Sequence, residues 1–372
     1  MKVLYIGHYK ERGGWANAAQ NLIRAIHSVG VEVVCRNITL TQDVEVSDDI
    51  LKLEQGNLHN VDYCIQHVLP HHLVGSGKFK KNVSYAVFES CNLKYNMWLS
   101  NLAYMDEVWV PCSDNKKEIE QHISTPVHIV PHAFDLNSYQ MPQLTLNFDA
   151  YGIKSAYKFY TIADVSKRKN IESIIRTYYS TFFPNDNVAL ILKVNKFGYD
   201  KTSLYKFMEQ MCENIRNSMG IYDNHNDYNK IVVISEEFSP EQIKSLHATC
   251  DCFINLSHGE AWSIPSFDAM CFGNHPICVN WGGPKDYIDH TNKDTGYLIN
   301  YSMQTCTNDD AAFRHIFKGR EFWATPDELE ASKAMRHYYD QQKLKKNNAG
   351  YNNGMKFDLS NVGNTIKELL LS

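Results

Sequence analysis

The chain has 372 residues, enough for about two domains, and its 44% apolar and 12% aromatic residues can fill substantial cores, so disorder is not expected. A formal net charge of -5 argues against a strongly basic nucleic-acid binder, and no run of about 18 apolar residues is present to span a membrane. Ten cysteines over this length do not make a small disulfide framework, and Met1-Lys2 leads straight into Val3 without a signal-peptide pattern, so reduced thiols in a cytoplasmic setting are expected.

In chain order, Val3 to Ile6, Val31 to Cys35, Val61 to Ile65, Val83 to Phe88, Val108 to Val110 and Val127 to Val130 are short apolar runs rich in β-branched residues. Spaced by helical or loop stretches, they predict a parallel sheet covered on both faces. Between the first two, Ala19, Leu22, Ile23 and Ile26 recur at helical spacing within Trp15 to Val29. Gly13-Gly14 stands at this strand-to-helix turn, where glycine lets a ligand approach the backbone and the helix start offers free N–H groups. It is neither a dinucleotide nor a P-loop pattern, and a tight turn would need glycine as well. Gln66-His67 and Glu89-Ser90 follow predicted strands directly, which points both pairs at a ligand cleft. His67, His8 and Glu89 are therefore candidate ligand contacts, while Ser113 reads as a helix cap.

The alternation restarts at Phe159 to Ile162 and continues through Val188 to Val194, Ile231 to Ile234, Cys252 to Asn255 and Pro276 to Val279. A second α/β domain is predicted, with the boundary between Phe134 and Tyr157 and ranges of 1–145, 146–355 and a terminal 356–372. The stretches 222–230 and Lys343 to Lys356, rich in Asn and Lys, read as loops, and Val362, Ile366, Leu369 and Leu370 as a final amphipathic helix. Cys250 and Cys252 flank a strand and lack a partner pair at zinc spacing, so no metal site is expected. Lys167, Arg168 and Lys169 follow the first strand of this domain, where three cations at a strand's carboxyl end suit an anionic ligand. Further on, Glu260 precedes Ser263-Ile264-Pro265, with Pro265 expected at the first helical position, Asp268 in the first turn and Gly273 as terminator.

Glu260-Ala-Trp-Ser-Ile-Pro-Ser-Phe-Asp268-Ala-Met270 resembles the E-x(7)-E signature of the retaining family 4 glycosyltransferases, often written E-G-F-G-L-P-x-x-E-A-M. The spacing and the Pro, Ala and Met positions match; the second acid is Asp, and Ala261 and Ser263 stand at the family's glycines. Lys169 falls on the Lys of a G-R-x-x-x-x-K-G motif, with Asp164 in place of its Arg and Arg168 as a substitute from another position. The resemblance implies an α/β GT-B fold, two Rossmann-like domains facing each other across a cleft, with the last helix crossing back to the first. It also implies donor contacts from Gly13, Gly14, Ser263, Ile264, Pro265 and Asp268, the last to the ribose. Glu260, Lys169, Arg168 and His67 would carry the catalysis and Glu89 the acceptor.

The implied activity is retaining sugar transfer from a nucleotide-diphosphate sugar to an acceptor hydroxyl, with a glycan or lipid-linked sugar as the default acceptor. No cofactor is expected, and the lack of any D-x-D motif fits a metal-independent enzyme. One alternative is a hydroxylated base in DNA, reached if Lys78, Lys80, Lys81, Lys94, Lys116 and Lys117 gather on one face. Another is a sugar-nucleotide epimerase or phosphorylase on the same fold, and a third a catalytically silent binding module. Trp281-Gly282-Gly283-Pro284 either lines the same site or makes a simple tight turn.

Overall fold

The computed structural model describes residues 1–40, 43–306, 319–341 and 348–372, which fall into two units. The first comprises Met1–Ser138 with 319–322 and Met355–Ser372. Its strands β1 (Lys2–Gly7), β2 (Glu32–Asn37), β3 (Tyr63–His67), β4 (Lys81–Tyr85), β5 (Glu107–Val110) and β6 (Val127–Ile129) form one parallel sheet in the order β2-β1-β3-β4-β5-β6. The chain direction of strand addition reverses between β1 and β3, so their carboxyl ends, Gly7 and His67, flank a crevice of the kind that takes ligands in open α/β sheets.

The helix Gly14–Ser28 buries Ala19, Leu22, Ile23 and Ile26 in the first core, the face its periodicity predicts. The last helix, Leu359–Leu371, adds Val362, Ile366 and Leu370 to that same core. Each such side chain contributes about 1.5–3 kcal/mol when fully buried. Close packing of the two helices depends on Gly363, where a Cβ would lie 2.2 Å from the carbonyl oxygen of Ala25. Helix Leu359–Leu371 is thus part of the first unit although most of the chain between Ser138 and Met355 belongs to the second.

The second unit holds β7 (Tyr157–Asp164), β8 (Val188–Asn195), β9 (Lys230–Ile234), β10 (Cys252–Asn255), β11 (Ile277–Val279) and β12 (Tyr297–Ile299), parallel, in the order β12-β11-β10-β7-β8-β9. Its reversal lies between β7 and β10. Cys250 and Cys252 are both buried at the start of β10, as flanking residues of a buried strand would be. Among the described residues no helix is long and apolar enough to cross a membrane.

Several local expectations are corrected. Strand β4 stops at Tyr85, because beyond it the Asn115 side chain, and not a neighbouring strand, holds the N–H and carbonyl of Phe88. Glu89 therefore lies on a loop four residues past the strand. Ser113 is the first residue of the helix Ser113–Glu120, and Cys112 occupies the cap position. Residues 349–354, expected as loop, form the helix Ala349–Gly354, whose Gly350 sits where a Cβ would be 2.0 Å from the Met270 carbonyl oxygen. Residues 343–347 of that stretch lie outside the described ones.

Candidate functional site

The carboxyl ends of β7 and β10 converge on Glu260. From β7 the chain turns through Lys167–Asn170, with Asn170 at φ 52°, into the helix Ile171–Thr181. Asn is one of the few residues that takes this left-handed conformation readily. Its amide donates to the Leu256 carbonyl at 3.0 Å, and the N–H of His258 donates to the Arg168 carbonyl at 2.8 Å, which ties the two loops together.

Lys169 Nζ lies 2.6 Å from Glu260 Oε1, and Arg168 Nη1 lies 3.6 Å from Glu260 Oε2 and donates to the Gly259 carbonyl at 2.7 Å. Glu260 is 8% exposed. Burial acts to raise its pKa, but the Lys169 and Arg168 charges outweigh it and hold the carboxyl below the usual glutamate value. The pair is thus two cations around one buried carboxylate, ionised at neutral pH.

Asn255, at the end of β10, organises the same loop. Its amide nitrogen donates to Ser263 Oγ at 2.9 Å and Ser266 Oγ at 3.2 Å, and its oxygen accepts from Ser257 at 2.5 Å. Ser263 adopts φ 69°, a left-handed conformation that costs an L residue roughly 1–2 kcal/mol. It stands where the signature it resembles has glycine, and its hydroxyl bonds to Asn255 and Ser266 offset that strain. The helix that follows is Ile264–Cys271, so Pro265 is its second residue and Asp268 its fifth, one position later than expected and just past the first turn. Gly273, at φ 76°, ends it as predicted.

Asp268 Oδ1 accepts from the Tyr139 hydroxyl at 2.5 Å, and Oδ2 lies 4.0 Å from His247 Nε2. Burial raises its pKa to about 7, against the lowering effect of the Tyr139 bond and the Lys244 charge.

Gly282 and Gly283 turn out to shape the site. Gly282, at φ 77°, has no room for a side chain, since a Cβ would sit 2.1 Å from the Glu260 carbonyl oxygen, and Gly283 donates its N–H to that oxygen at 2.9 Å. The tight turn after β11 thereby clamps the Glu260 loop from behind. Gly282→Ala is expected to destabilise the protein by roughly 1–3 kcal/mol through overpacking and added backbone strain, and to reduce turnover by displacing Glu260. Thermal unfolding and an activity assay of the variant check this; an unchanged unfolding temperature would remove the clamp. Asn255 and Ser257 carry no site signal in the sequence, whereas the turn Trp281-Gly282-Gly283-Pro284, placed after a predicted strand, is one of its candidates to line the site.

In the first unit, His67 Nδ1 meets the Tyr5 hydroxyl at 2.8 Å, and its ring lies 5.5 Å from Trp15 and 4.6 Å from Tyr85. Burial, followed by nearby His132 and His8, keeps its pKa well below the usual histidine value, so the ring is neutral at pH 7. His8 Nδ1 lies 2.6 Å from the Ile38 carbonyl, which makes Nδ1 the protonated nitrogen; its buried Nε2 has no hydrogen-bond partner among the described residues. Gly13, at φ 102°, caps the helix Gly14–Ser28, and nothing lies within 4 Å of where its Cβ would be. Glu89 is partly exposed and belongs to the loop after β4.

The lysines considered for DNA are largely committed within their own unit. Lys80 pairs with Asp62 at 2.8 Å, Lys81 with Glu107 at 2.6 Å and Lys116 with Glu120 at 2.5 Å, while Lys94 lies over the Tyr95 ring. Among the described residues, no group of three or more His, Cys, Asp or Glu side chains could hold a metal ion.

Residues 224–308 match the family model described as Glycosyl transferases group 1. A search of curated protein sequences found no match. Among solved structures, the chain is similar to HepE of Anabaena in complex with UDP-glucose, at 14% identity and a TM-score of 0.68, covering 100% of this chain and 99% of that one. It is also similar to the sucrose-phosphate synthase of Thermosynechococcus elongatus, at 10% identity and a TM-score of 0.64, covering 99% and 98%. A glycosyltransferase of Rickettsia africae aligns at 12% identity and a TM-score of 0.64, covering 99% and 97%. The chain thus carries a glycosyl transferases group 1 domain across β9 to β12, set in two Rossmann-like parallel sheets of the GT-B type.

Proposed function

We propose that the protein is a retaining enzyme that moves a sugar from a nucleoside-diphosphate sugar to an acceptor hydroxyl on a glycan or lipid-linked sugar. The observation that carries this reading is the pairing of Lys169 and Arg168 with buried Glu260 at the β7/β10 reversal. A diphosphate entering there competes with the carboxylate for both cations. Once they turn to phosphate, Glu260 is free to accept a hydrogen bond from a donor-sugar hydroxyl and fix the ring.

In this reading the bond between the anomeric carbon and the diphosphate oxygen breaks first, and the cations stabilise the charge on the leaving group. The acceptor oxygen then attacks from the same face, and the departed phosphate oxygen takes its proton. Main-chain groups of Ser263 and Ile264 and the turn at Pro265 are assigned to the sugar or phosphate in this reading, since N–H groups at a helix start favour an anion. Asp268 Oδ2, the oxygen not bonded to Tyr139, is assigned to the ribose. His67, being neutral, suits hydrogen bonding to a hydroxyl and not charge stabilisation.

Turnover with a panel of nucleotide sugars, followed by the anomeric configuration of the product, tests the reading; inversion at the anomeric carbon would overturn the retaining mechanism. Lys169→Ala is expected to weaken binding of a nucleoside diphosphate about tenfold or more while changing nucleoside binding little, with the difference shrinking at high salt. Calorimetric titration of both ligands checks this, and equal losses would move Lys169 away from the phosphates.

A further inference from the structure

The second unit has a cavity of about 540 Å³ beyond the Glu260 cluster, over the carboxyl ends of β7, β8 and β9. That is within the roughly 300–1,000 Å³ of small-molecule sites. Asp164, Asn195, Phe197, Tyr199, Glu236 and Glu237 are among its lining residues. Asp164, the last residue of β7, lines it, so the cavity adjoins the end of the strand that also leads to Lys169. A ligand whose phosphates reach Lys169 can extend along this carboxyl edge.

The lining has two chemical features. Phe197 is 93% exposed on the loop after β8, an aromatic face held in solvent beside a cavity, and aromatic faces of this kind stack with bases. The loop after β9 supplies carboxylates. Glu236 is exposed and makes no hydrogen bond among the described residues, and Asp200 is occupied by the cap it forms with Ser203. Beneath this loop Lys193 is 7% exposed, with its ammonium 5.4 Å from the Phe238 ring centroid and electrostatically coupled to Glu236 and Glu237.

A carboxylate only accepts hydrogen bonds. Of the common bases, guanine alone presents two parallel N–H groups, N1–H and the 2-amino group, in the spacing a carboxylate accepts in bidentate fashion. Uracil flanks its single N–H with two carbonyl oxygens, and adenine and cytosine set a bare ring nitrogen beside their amino group, so a carboxylate repels part of each edge.

Building on the nucleotide-sugar reading above, we propose that this cavity selects the donor's base, that the base is guanine, and that Glu236, with Glu237 beside it, is the specificity-determining carboxylate. The test is titration of the full chain with GDP, UDP, ADP and CDP, repeated for Glu236→Gln and Glu237→Gln after circular dichroism shows each variant folded. GDP is expected to bind at least tenfold tighter than the other three, and Glu236→Gln to remove most of that preference by weakening GDP binding while leaving UDP binding no weaker. UDP, ADP or CDP binding as tightly as GDP, or a GDP preference that survives both substitutions, would overturn the base assignment alone. Failure of all four diphosphates to bind would overturn it together with the nucleotide-sugar reading.

Discussion

Glu260→Gln is expected to lower turnover by roughly 100-fold or more and at the same time to tighten binding of a nucleoside diphosphate. The two effects have one cause. In the free protein the carboxylate holds Lys169 at 2.6 Å and Arg168 at 3.6 Å, so a diphosphate must displace it to reach them. Removing the charge removes the competitor but also the group that would fix the donor sugar. Stability should fall too, because taking one partner from a buried ion pair leaves its cations uncompensated; a loss of several kcal/mol is typical for full truncation, and glutamine retains part of the hydrogen bonding. The pH dependence has a definite sign. With the folded-state pKa below the ordinary 4.5, the ionised pair stabilises the protein above that value, and this contribution disappears as pH falls through the depressed pKa. The gap in unfolding temperature between wild type and variant should therefore close in acid. A purely structural Glu260 would weaken diphosphate binding along with turnover, and that outcome, or near-normal turnover, would sink the assignment.

Hydrophobic period reached the sheets because their strands are buried on both faces: Val188 to Val194 is apolar or buried throughout β8, and no polar contact is needed to recognise it. It stopped short where strands are brief. β12 has only Tyr297, Leu298 and Ile299, of which Ile299 alone is buried, too little for a pattern to register. Spacing brought Glu260 and Lys169 forward, and the structure joins them although 91 residues separate them. What spacing could not supply was the support behind them. Asn255 lies inside a strand pattern, and its polarity reads as a blemish until Ser257, Ser263 and Ser266 are seen to surround it. Gly282 and Gly283 serve a contact with a loop more than twenty positions earlier, which only the fold reveals. The helix Ala349–Gly354 was hidden for a related reason: its glycines weaken local helix propensity, and packing of Gly350 against Met270 outweighs that cost.

Asp268→Asn is expected to raise the unfolding temperature by several degrees at pH 8 and to leave it nearly unchanged at pH 4. The wild-type carboxyl has a folded-state pKa raised to about 7 by burial, against an ordinary value of 3.8, so the folded protein holds a proton that the unfolded chain has already released. Stability accordingly declines as pH rises from about 4 to about 7 and stays low above it. Each pKa unit corresponds to about 1.4 kcal/mol, which makes the accumulated penalty at pH 8 a few kcal/mol. Asparagine is close in shape to the protonated acid, can still accept from Tyr139 through its carbonyl oxygen, and pays no ionisation cost. Tyr139 is itself informative, because its hydroxyl donates to Oδ1 and favours the charged form; Tyr139→Phe should push the Asp268 pKa higher and steepen the decline. Unfolding temperatures of the wild type and both variants across pH 4 to 8 measure all of this. An Asp268→Asn variant less stable than wild type at pH 8 would mean that the ionised carboxylate, bonded to Tyr139, stabilises the fold after all. Retention of a destabilising acid one turn into the helix that carries Ile264 and Pro265 is the pattern expected of a group kept for ligand binding and not for stability. The same variant should then bind nucleosides more weakly, even as it unfolds at a higher temperature.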